Sequence, residues 1–284
     1  MELVDRDFDF VRAFICEQAG IVLEHGKEYL VESRLAPIVR RANLPDIAAI
    51  VDRLRRHDPE LRRAVIEALT TNETTFFRDV MPFETIRNVV IPALIEARKH
   101  KRELRFWYGA SSTGQEPYSV VMLLADHFPQ LEDWTVTHVA TDLNLDVLER
   151  ARAGRYSQIE INRGLPAPCL VKHFERHGTE WQLKEHLRRR VKFEQLNLVK
   201  PWPAMGPFDV IMMRNVMIYF DADAKKSILT RASRLMGEDG YLFLGAAETT
   251  IGTGTSFERM PYERSGCYRP AAAAAAVSPL RGVA

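Results

Sequence analysis

The sequence predicts an open α/β fold that carries a small all-helical domain at its N-terminus. Three observations point there. Apolar residues recur at helical spacing through residues 1 to 75, with no strand pattern among them. From residue 103 onward, short β-rich runs alternate with helical segments, which implies βαβ units and a parallel sheet covered on both faces. One run, Phe208-Asp209-Val210-Ile211-Met212-Met213, is nearly continuous apolar sequence, as a strand buried on both sides requires.

In the helical stretch, Phe8, Val11, Phe14 and Ile15 share one face, as do Leu61, Val65 and Leu69. Leu44-Pro45-Asp46 and Asp58-Pro59-Glu60 are helix starts, with proline early and acid in the first turn. Pro37 is expected to kink or restart its helix. Residues 34–63 hold Arg34, Arg40, Arg41, Arg53, Arg55, Arg56, Arg62 and Arg63 against four acids, which reads as a solvated face or as a docking surface for an acidic helix. The α/β part spans 76–268. Its strand and helix signals are Glu103–Ala110, a helix from Glu116, Trp134–Asp142, a helix from Leu145, Val191–Asn197, Phe208–Asn215, a helix over 222–236 and Gly240–Glu248. Residues 154–190 break the alternation and read as an insertion between sheet strands, and 269–284, rich in alanine, as a disordered tail.

Bulk properties narrow the class. A chain of 284 residues with 46% hydrophobic and 27% charged residues can bury a sizeable core. A net charge of +1 provides no global field toward nucleic acid or an anionic membrane. Cys16, Cys169 and Cys267 lie far apart, so neither a disulfide framework nor a zinc site follows, and no metal is expected. The polar N-terminus is unlike a signal peptide, and no apolar stretch approaches the roughly 20 residues that span a bilayer. A soluble, cytoplasmic protein is the expectation.

Ligands of open α/β sheets sit beyond the carboxyl ends of the strands, and four such ends here carry polar residues. The first continues as Gly109-Ala110-Ser111-Ser112-Thr113-Gly114-Gln115-Glu116, where small residues allow close backbone approach and the next helix exposes free N–H groups. Glu116 either favours its helix dipole or binds the ammonium of a ligand's amino-acid end. The second ends in Asp142, placed either to accept hydrogen bonds from ribose hydroxyls or to cap the following helix, with Asn144 also available as a cap. The third and fourth end in Asn197-Leu198 and Arg214-Asn215-Val216, where both asparagines would meet an adenine or methionine moiety. Ahead of the first strand, Phe76 and Phe77 read as core or hinge packing, and Arg78 beside them can be aimed inward.

Taken in order, T-T-N-E-T-T-F-F-R (70–78), S-S-T-G-Q-E-P-Y-S (111–119), A-T-D-L-N (140–144) and F-D-V-I-M-M-R-N-V-M-I-Y-F (208–220) closely resemble the chemotaxis receptor methyltransferase (CheR) family, over nearly the whole chain to about Tyr268. The resemblance implies a Rossmann-like class I methyltransferase domain and S-adenosyl-L-methionine as donor, with S-adenosyl-L-homocysteine as product. It implies glutamate side chains on the cytoplasmic helical domain of methyl-accepting chemoreceptors as acceptor, and the helical N-terminus as the docking unit. By position, Asn72, Thr74 and Arg78 would line the methionine end and the reacting groups, Glu116 the amino-acid end and Asp142 the ribose. Asn197, Leu198, Asn215 and Val216 would surround adenine and sulfur, and Tyr219 would lie near the reacting methyl, with Arg78 and Tyr219 as the catalytic pair. The sequence departs from the family in two places. Ser111 stands where many members have cysteine, and 154–190 is short, with only Gly178 where some members use a glycine-rich loop to grip a receptor's C-terminal pentapeptide. A member without that tether is expected.

A glutamate carboxylate, with an ordinary pKa of about 4.3, is already ionised at neutral pH, so no general base is required. Two other readings fit the residues less well: a non-catalytic cofactor-binding regulator, and a methyltransferase for another acceptor. Nucleic acid is disfavoured by the balanced charge and the lack of aromatic-basic interleaving.

Overall fold

The computed structural model of the chain describes residues 4–255 and 257–271. Four helices open it: α1 (Asp5–Ala19), α2 (Glu28–Arg41), α3 (Ile47–Arg55) and α4 (Pro59–Leu69). Their apolar stripes meet in a core of their own, built around Val11, Ile15, Val31, Leu35, Ile50, Val51 and Val65. Both expected starts begin helices. Asp58 accepts from Leu61 N at 3.1 Å, with Pro59 and Glu60 in the first turn as read, whereas Asp46 is itself the cap, accepting from Ala49 N at 2.9 Å, and leaves Pro45 outside α3. Each such cap stabilises its helix by about 1 kcal/mol. Pro37 neither ends nor restarts its helix, because α2 runs through it unbroken. Burial of Val31, Leu35, Ile38 and Val39 on both sides of the proline outweighs the one hydrogen bond it removes.

A linker leads into α5 (Met81–Thr85), a π-helical turn (Ile86–Val90) and α6 (Ile91–Arg98), whose second residue is Pro92. The wider turn just ahead of Pro92 makes room for a ring that an α-helical interior would reject. The sheet follows: β1 (Glu103–Gly109), α7 (Gln115–His127), β2 (Thr135–Asp142) and α8 (Leu145–Ala153). The 154–190 segment then forms β3 (Arg155–Tyr156), α9 (Gln158–Asn162), α10 (Ala167–His173), β4 (Phe174–His177), β5 (Glu180–Leu183) and α11 (Glu185–Arg188). Its strands make a separate antiparallel sheet in the order β3-β5-β4. The main sheet resumes with β6 (Val191–Gln195), β7 (Phe208–Met213), α12 (Ala222–Arg234), β8 (Met236–Leu244), β9 (Phe257–Arg259) and β10 (Cys267–Pro270). Arg269 and Pro270, expected in a disordered tail, instead complete β10, because Arg269 pairs with Glu258 and Pro270 with Phe257. The rest of the tail expectation, from residue 272, lies outside the described residues.

The main sheet has the order β6-β2-β1-β7-β8-β10-β9. The first five strands are parallel, and β10 is antiparallel to both its neighbours. Alternate side chains of β1 feed opposite faces, with Phe106 and Tyr108 in one core and Trp107 in the other. Strand order reverses beside β1, since the chain builds outward to β2 and β6 and then returns to β7. A crevice therefore opens at the carboxyl ends of β1 and β7. Phe76 locks the linker over that edge, wholly buried and edge-on to Tyr156 at 4.9 Å and Phe174 at 5.7 Å.

Candidate active site

A cleft of about 860 Å³ occupies this crevice. Strand ends β1, β2, β6 and β7 form its floor, the linker 70–78 one wall, and Ala19 at the end of α1 with Ile21 beyond it another. Asn72, Thr74, Arg78, Glu116, Asp142, Asn197, Leu198, Asn215, Val216 and Tyr219 all line it. The structure thus brings together the ten residues that the family resemblance placed at the site, although not all have free side chains.

Its backbone is unusual. Among the described residues, six of the ten non-glycine positions with positive φ lie in or beside the cleft wall: Phe77, Asp79, Val80, Ala110, Ser112 and Asn215. Left-handed backbone costs a non-glycine residue about 1 kcal/mol or more, so the surrounding packing must hold these turns. After β1 the chain has no room to spare: a Cβ on Gly109 would sit 2.7 Å from Met213 Cγ. Gly114, at φ +87°, then turns the chain into α7 and delivers Glu116 to the cleft.

Glu116 is held by a residue that sequence reasoning passed over. Arg214, its side chain 1% exposed, donates to Glu116 Oε2 at 2.7 Å, to Asp79 Oδ2 at 2.7 Å and to the Arg78 carbonyl at 2.8 Å. The Phe83 ring lies 5.7 Å from the guanidinium. Burial pushes the Glu116 carboxyl above its ordinary range, and Arg214 opposes that shift. A cation straight after a nearly all-apolar strand was the available signal, but its partners, 98 and 135 residues away, were not visible.

Asp142 is 6% exposed, and burial raises its carboxyl. It accepts from Ser112 N at 2.8 Å and Asn144 N at 3.0 Å, which hold the shift back. Asn144 caps α8, accepting from Asp146 N at 2.9 Å and Val147 N at 3.3 Å. The carboxylate is therefore not needed as a cap, and it keeps lone pairs for a diol.

Asn197 is more committed than the sequence implied. Its amide donates to the Gln18 carbonyl at 2.7 Å and accepts from Val199 N at 3.0 Å, fastening the end of α1 to the strand end. The backbone N–H of Asn215 donates to Glu248 at 2.8 Å, and the same carboxylate accepts from Gly245 N at 2.5 Å and Ile218 N at 3.3 Å. Glu248, 8% exposed, thereby pins the turn that carries Asn215 and Tyr219, with no signal in the sequence to announce it. Arg78 donates to the Glu73 carbonyl at 3.1 Å and has no ion pair among the described residues. Tyr219, on the 3-10 turn Met217–Tyr219, receives Val22 N on its carbonyl at 2.9 Å, while its phenol has no hydrogen bond among the described residues.

These groups fit a particular kind of molecule. Two buried polar atoms in the wall, Ser111 Oγ and Arg214 Nε, lack partners. One buried carboxylate, Glu116, can pair with an ammonium, a second, Asp142, can accept from a diol, and Leu198, Val216 and Phe220 supply apolar walls for a flat ring. S-adenosyl-L-methionine has all three parts. Among the described residues, no cluster of His, Cys, Asp and Glu could hold a metal, and no helix is long and apolar enough to cross a membrane.

A five-stranded parallel sheet extended by the antiparallel β10 and β9, with this cleft at its switch point, defines a class I S-adenosyl-L-methionine-dependent methyltransferase. Residues 6–70 match the CheR methyltransferase all-alpha domain and residues 72–265 the CheR methyltransferase SAM binding domain. The chain belongs to the CheR methyltransferase family. It is 40% identical over 253 residues to chemotaxis protein methyltransferase 1 of Pseudomonas aeruginosa, covering 87% of this chain and 92% of that one. It is 37% identical over 259 residues to the chemotaxis protein methyltransferase of Vibrio parahaemolyticus, covering 89% and 93%. To that of Escherichia coli it is 37% identical over 256 residues, covering 87% and 86%.

Proposed function

We propose that this protein methylates glutamate side chains on the cytoplasmic helical domain of methyl-accepting chemoreceptors, giving methyl esters that adjust receptor signalling. The observation that carries this reading is the make-up of the cleft, where the described lining residues include no histidine, lysine or cysteine and the buried carboxylates Glu116 and Asp142 are already held by Arg214 and by backbone N–H groups. An amine or thiol acceptor would need a base to remove its proton, whereas a carboxylate is already the nucleophile at neutral pH.

The bound donor supplies an electrophilic methyl on a positively charged sulfonium. Glu116, steadied by Arg214, binds the ammonium, and Asp142 the ribose hydroxyls. Asn72, Thr74 and Arg78 line the methionine end, with Leu198, Val216 and the backbone about Asn197 and Asn215 around the base and sulfur. Tyr219 holds the acceptor carboxylate by one hydrogen bond, worth about 1–3 kcal/mol. Arg78 positions the reacting groups, and it is not clamped on the acceptor, because a tight pair would stabilise the charged ground state at least as much as the transition state. Charge is neutralised as the methyl moves, so the apolar walls favour the step, and alignment supplies most of the acceleration.

The helical unit formed by α1 to α4 serves as the receptor dock. Several of its arginines are spent internally: Arg34 donates to Leu69 O at 2.8 Å and Thr70 O at 3.0 Å, and Arg62 stacks on Phe14 at 4.9 Å. Arg40, Arg41, Arg56 and Arg63 remain exposed without an ion pair among the described residues, and these would meet an acidic receptor helix. The β4–β5 turn is only Gly178-Thr179, because His177 pairs with Glu180. A two-residue turn has no length to grip a peptide, which supports action without a C-terminal pentapeptide tether.

The test is to incubate the protein with methyl-labelled S-adenosyl-L-methionine and membranes bearing the source organism's chemoreceptors, then release the label as methanol in mild base. Base-labile label on a receptor band is expected, unaltered when the receptor's last five residues are removed, and reduced by Arg78→Ala. Base-stable label would mark nitrogen methylation and overturn the carboxyl acceptor.

A further inference from the structure

A second groove lies next to the cleft, on the other side of the turn that carries Tyr219. Its lining includes Met217, Ile218, Ala222, Lys225, Ile251 and Thr253, around a volume of about 630 Å³. Strands β7 and β8 are parallel neighbours, so the turn after β7 and the loop after β8 leave the sheet on the edge that holds the cleft. Glu248 lines this groove as well, and its carboxylate is occupied by the N–H groups of Asn215, Ile218 and Gly245, so the wall between groove and cleft is tied to both.

The groove is apolar at its rims and basic at its side. Ile218 is 50% exposed and Ile251 85% exposed, the latter the largest apolar exposure among the described residues. Lys225, on the first turns of α12, has no ion pair among the described residues. Isolated exposed isoleucines carry little meaning, but two facing one cavity beside a reactive centre mark a contact surface.

We infer that this groove seats the helix that carries the target carboxylate: an acidic, amphipathic segment of the acceptor protein, lying across the Met217–Tyr219 turn. This rests on the carboxyl-acceptor reading above. Tyr219 and Ile218 are consecutive residues facing cleft and groove. A helix whose glutamate reaches Tyr219 therefore brings a residue three or four positions away, about 5.4 Å along its axis, over the groove. An apolar side chain at that position fills the space between Ile218 and Ile251, and a neighbouring acid meets Lys225. The exposed Arg40, Arg41, Arg56 and Arg63 of the helical unit would add a second basic contact to the same acidic segment.

The experiment measures steady-state methylation of receptor-bearing membranes by the full chain and by Ile251→Asp, Ile251→Leu and Lys225→Glu, alongside calorimetry with S-adenosyl-L-homocysteine. Expected is a rise of about tenfold in the receptor KM for Ile251→Asp and for Lys225→Glu, with kcat and homocysteine-product affinity unchanged and near-normal values for Ile251→Leu. Transfer by the unaltered protein with the same receptor KM in both charged variants would overturn the groove and leave the acceptor assignment standing. No transfer to any receptor carboxyl by the unaltered protein, with product still bound, would overturn the acceptor assignment and the groove together.

Discussion

Replacing Arg214 by methionine, close in length but uncharged, removes the cation that joins the linker to α7. The side chain is 1% exposed and makes three hydrogen bonds, two of them to carboxylates at 2.7 Å. Asp79 is 40% exposed and can rehydrate, so its share of the loss is small. Glu116 is 14% exposed and cannot. Stranding a largely buried carboxylate in this way costs about 3–5 kcal/mol in comparable cases, and the solvent at the cleft mouth places this one nearer 3. Urea unfolding at pH 7 reads that difference directly. The pH dependence supplies a second check. Glu116 already titrates above its ordinary range, and without Arg214 it titrates higher still. Protonation then relieves the unpaired charge, so the stability gap between variant and parent narrows as pH falls. Affinity for S-adenosyl-L-homocysteine at pH 7 drops roughly 10- to 100-fold, the worth of a charge-assisted hydrogen bond that is no longer aligned. A variant within about 1 kcal/mol of the parent at pH 7, with unchanged product affinity, would refute the claim that Arg214 organises the amino-acid end.

Three further outcomes are expected. Tyr219→Phe lowers kcat about tenfold or more and leaves product affinity within about twofold, by single-turnover methylation and calorimetry; equal loss in both would make the phenol a cofactor contact. Asp142→Asn weakens S-adenosyl-L-homocysteine roughly 10- to 100-fold, and because burial raises the native carboxyl, the parent's own affinity begins to fall on acidification above the usual aspartate range; calorimetry across pH 4 to 7 decides it. Burial pushes the His138 imidazole down to about 3, against an ordinary 6.5. The unfolded chain takes up that proton between those values while the folded chain does not, so stability present above pH 6.5 is lost as pH falls toward 3, at about 1.4 kcal/mol per unit. Tyr108→Phe with His138→Leu, which removes both partners of the buried 2.9 Å contact, should flatten that slope in urea titrations from pH 6.5 to 5, and an unchanged slope would assign the acid sensitivity elsewhere.

How much of this was legible in sequence depended on range. Strand ends could be read because an apolar β run closes abruptly in a polar residue, and parallel βαβ order sends all such ends to one edge. That placed Asp142, Asn215 and the Gly109–Glu116 turn correctly without any knowledge of side-chain packing. Helix starts at Asp46 and Asp58 were equally local, since a cap bonds a backbone N–H three residues on. At Pro37 the restart that the sequence allowed did not occur, because continuity of the helix lay with the core pressing on Val31, Leu35, Ile38 and Val39, not with the proline. The 154–190 segment hid a three-stranded sheet for a related reason: its strands are two to four residues long, too short for a period-2 pattern to stand out. Only the tertiary structure could bring Arg214 onto Asp79 and Glu116, Glu248 onto Asn215, or Asn197 onto the end of α1, because each pairing is made across the fold by charges and amides that water would otherwise satisfy. The sequence by itself determined the fold class, the edge on which the cleft lies and part of its lining. Which of those side chains are free for a ligand and which are already spent holding the cleft in shape was decided by packing, since a hydrogen-bonding group carries no mark along the chain of the partner that will occupy it.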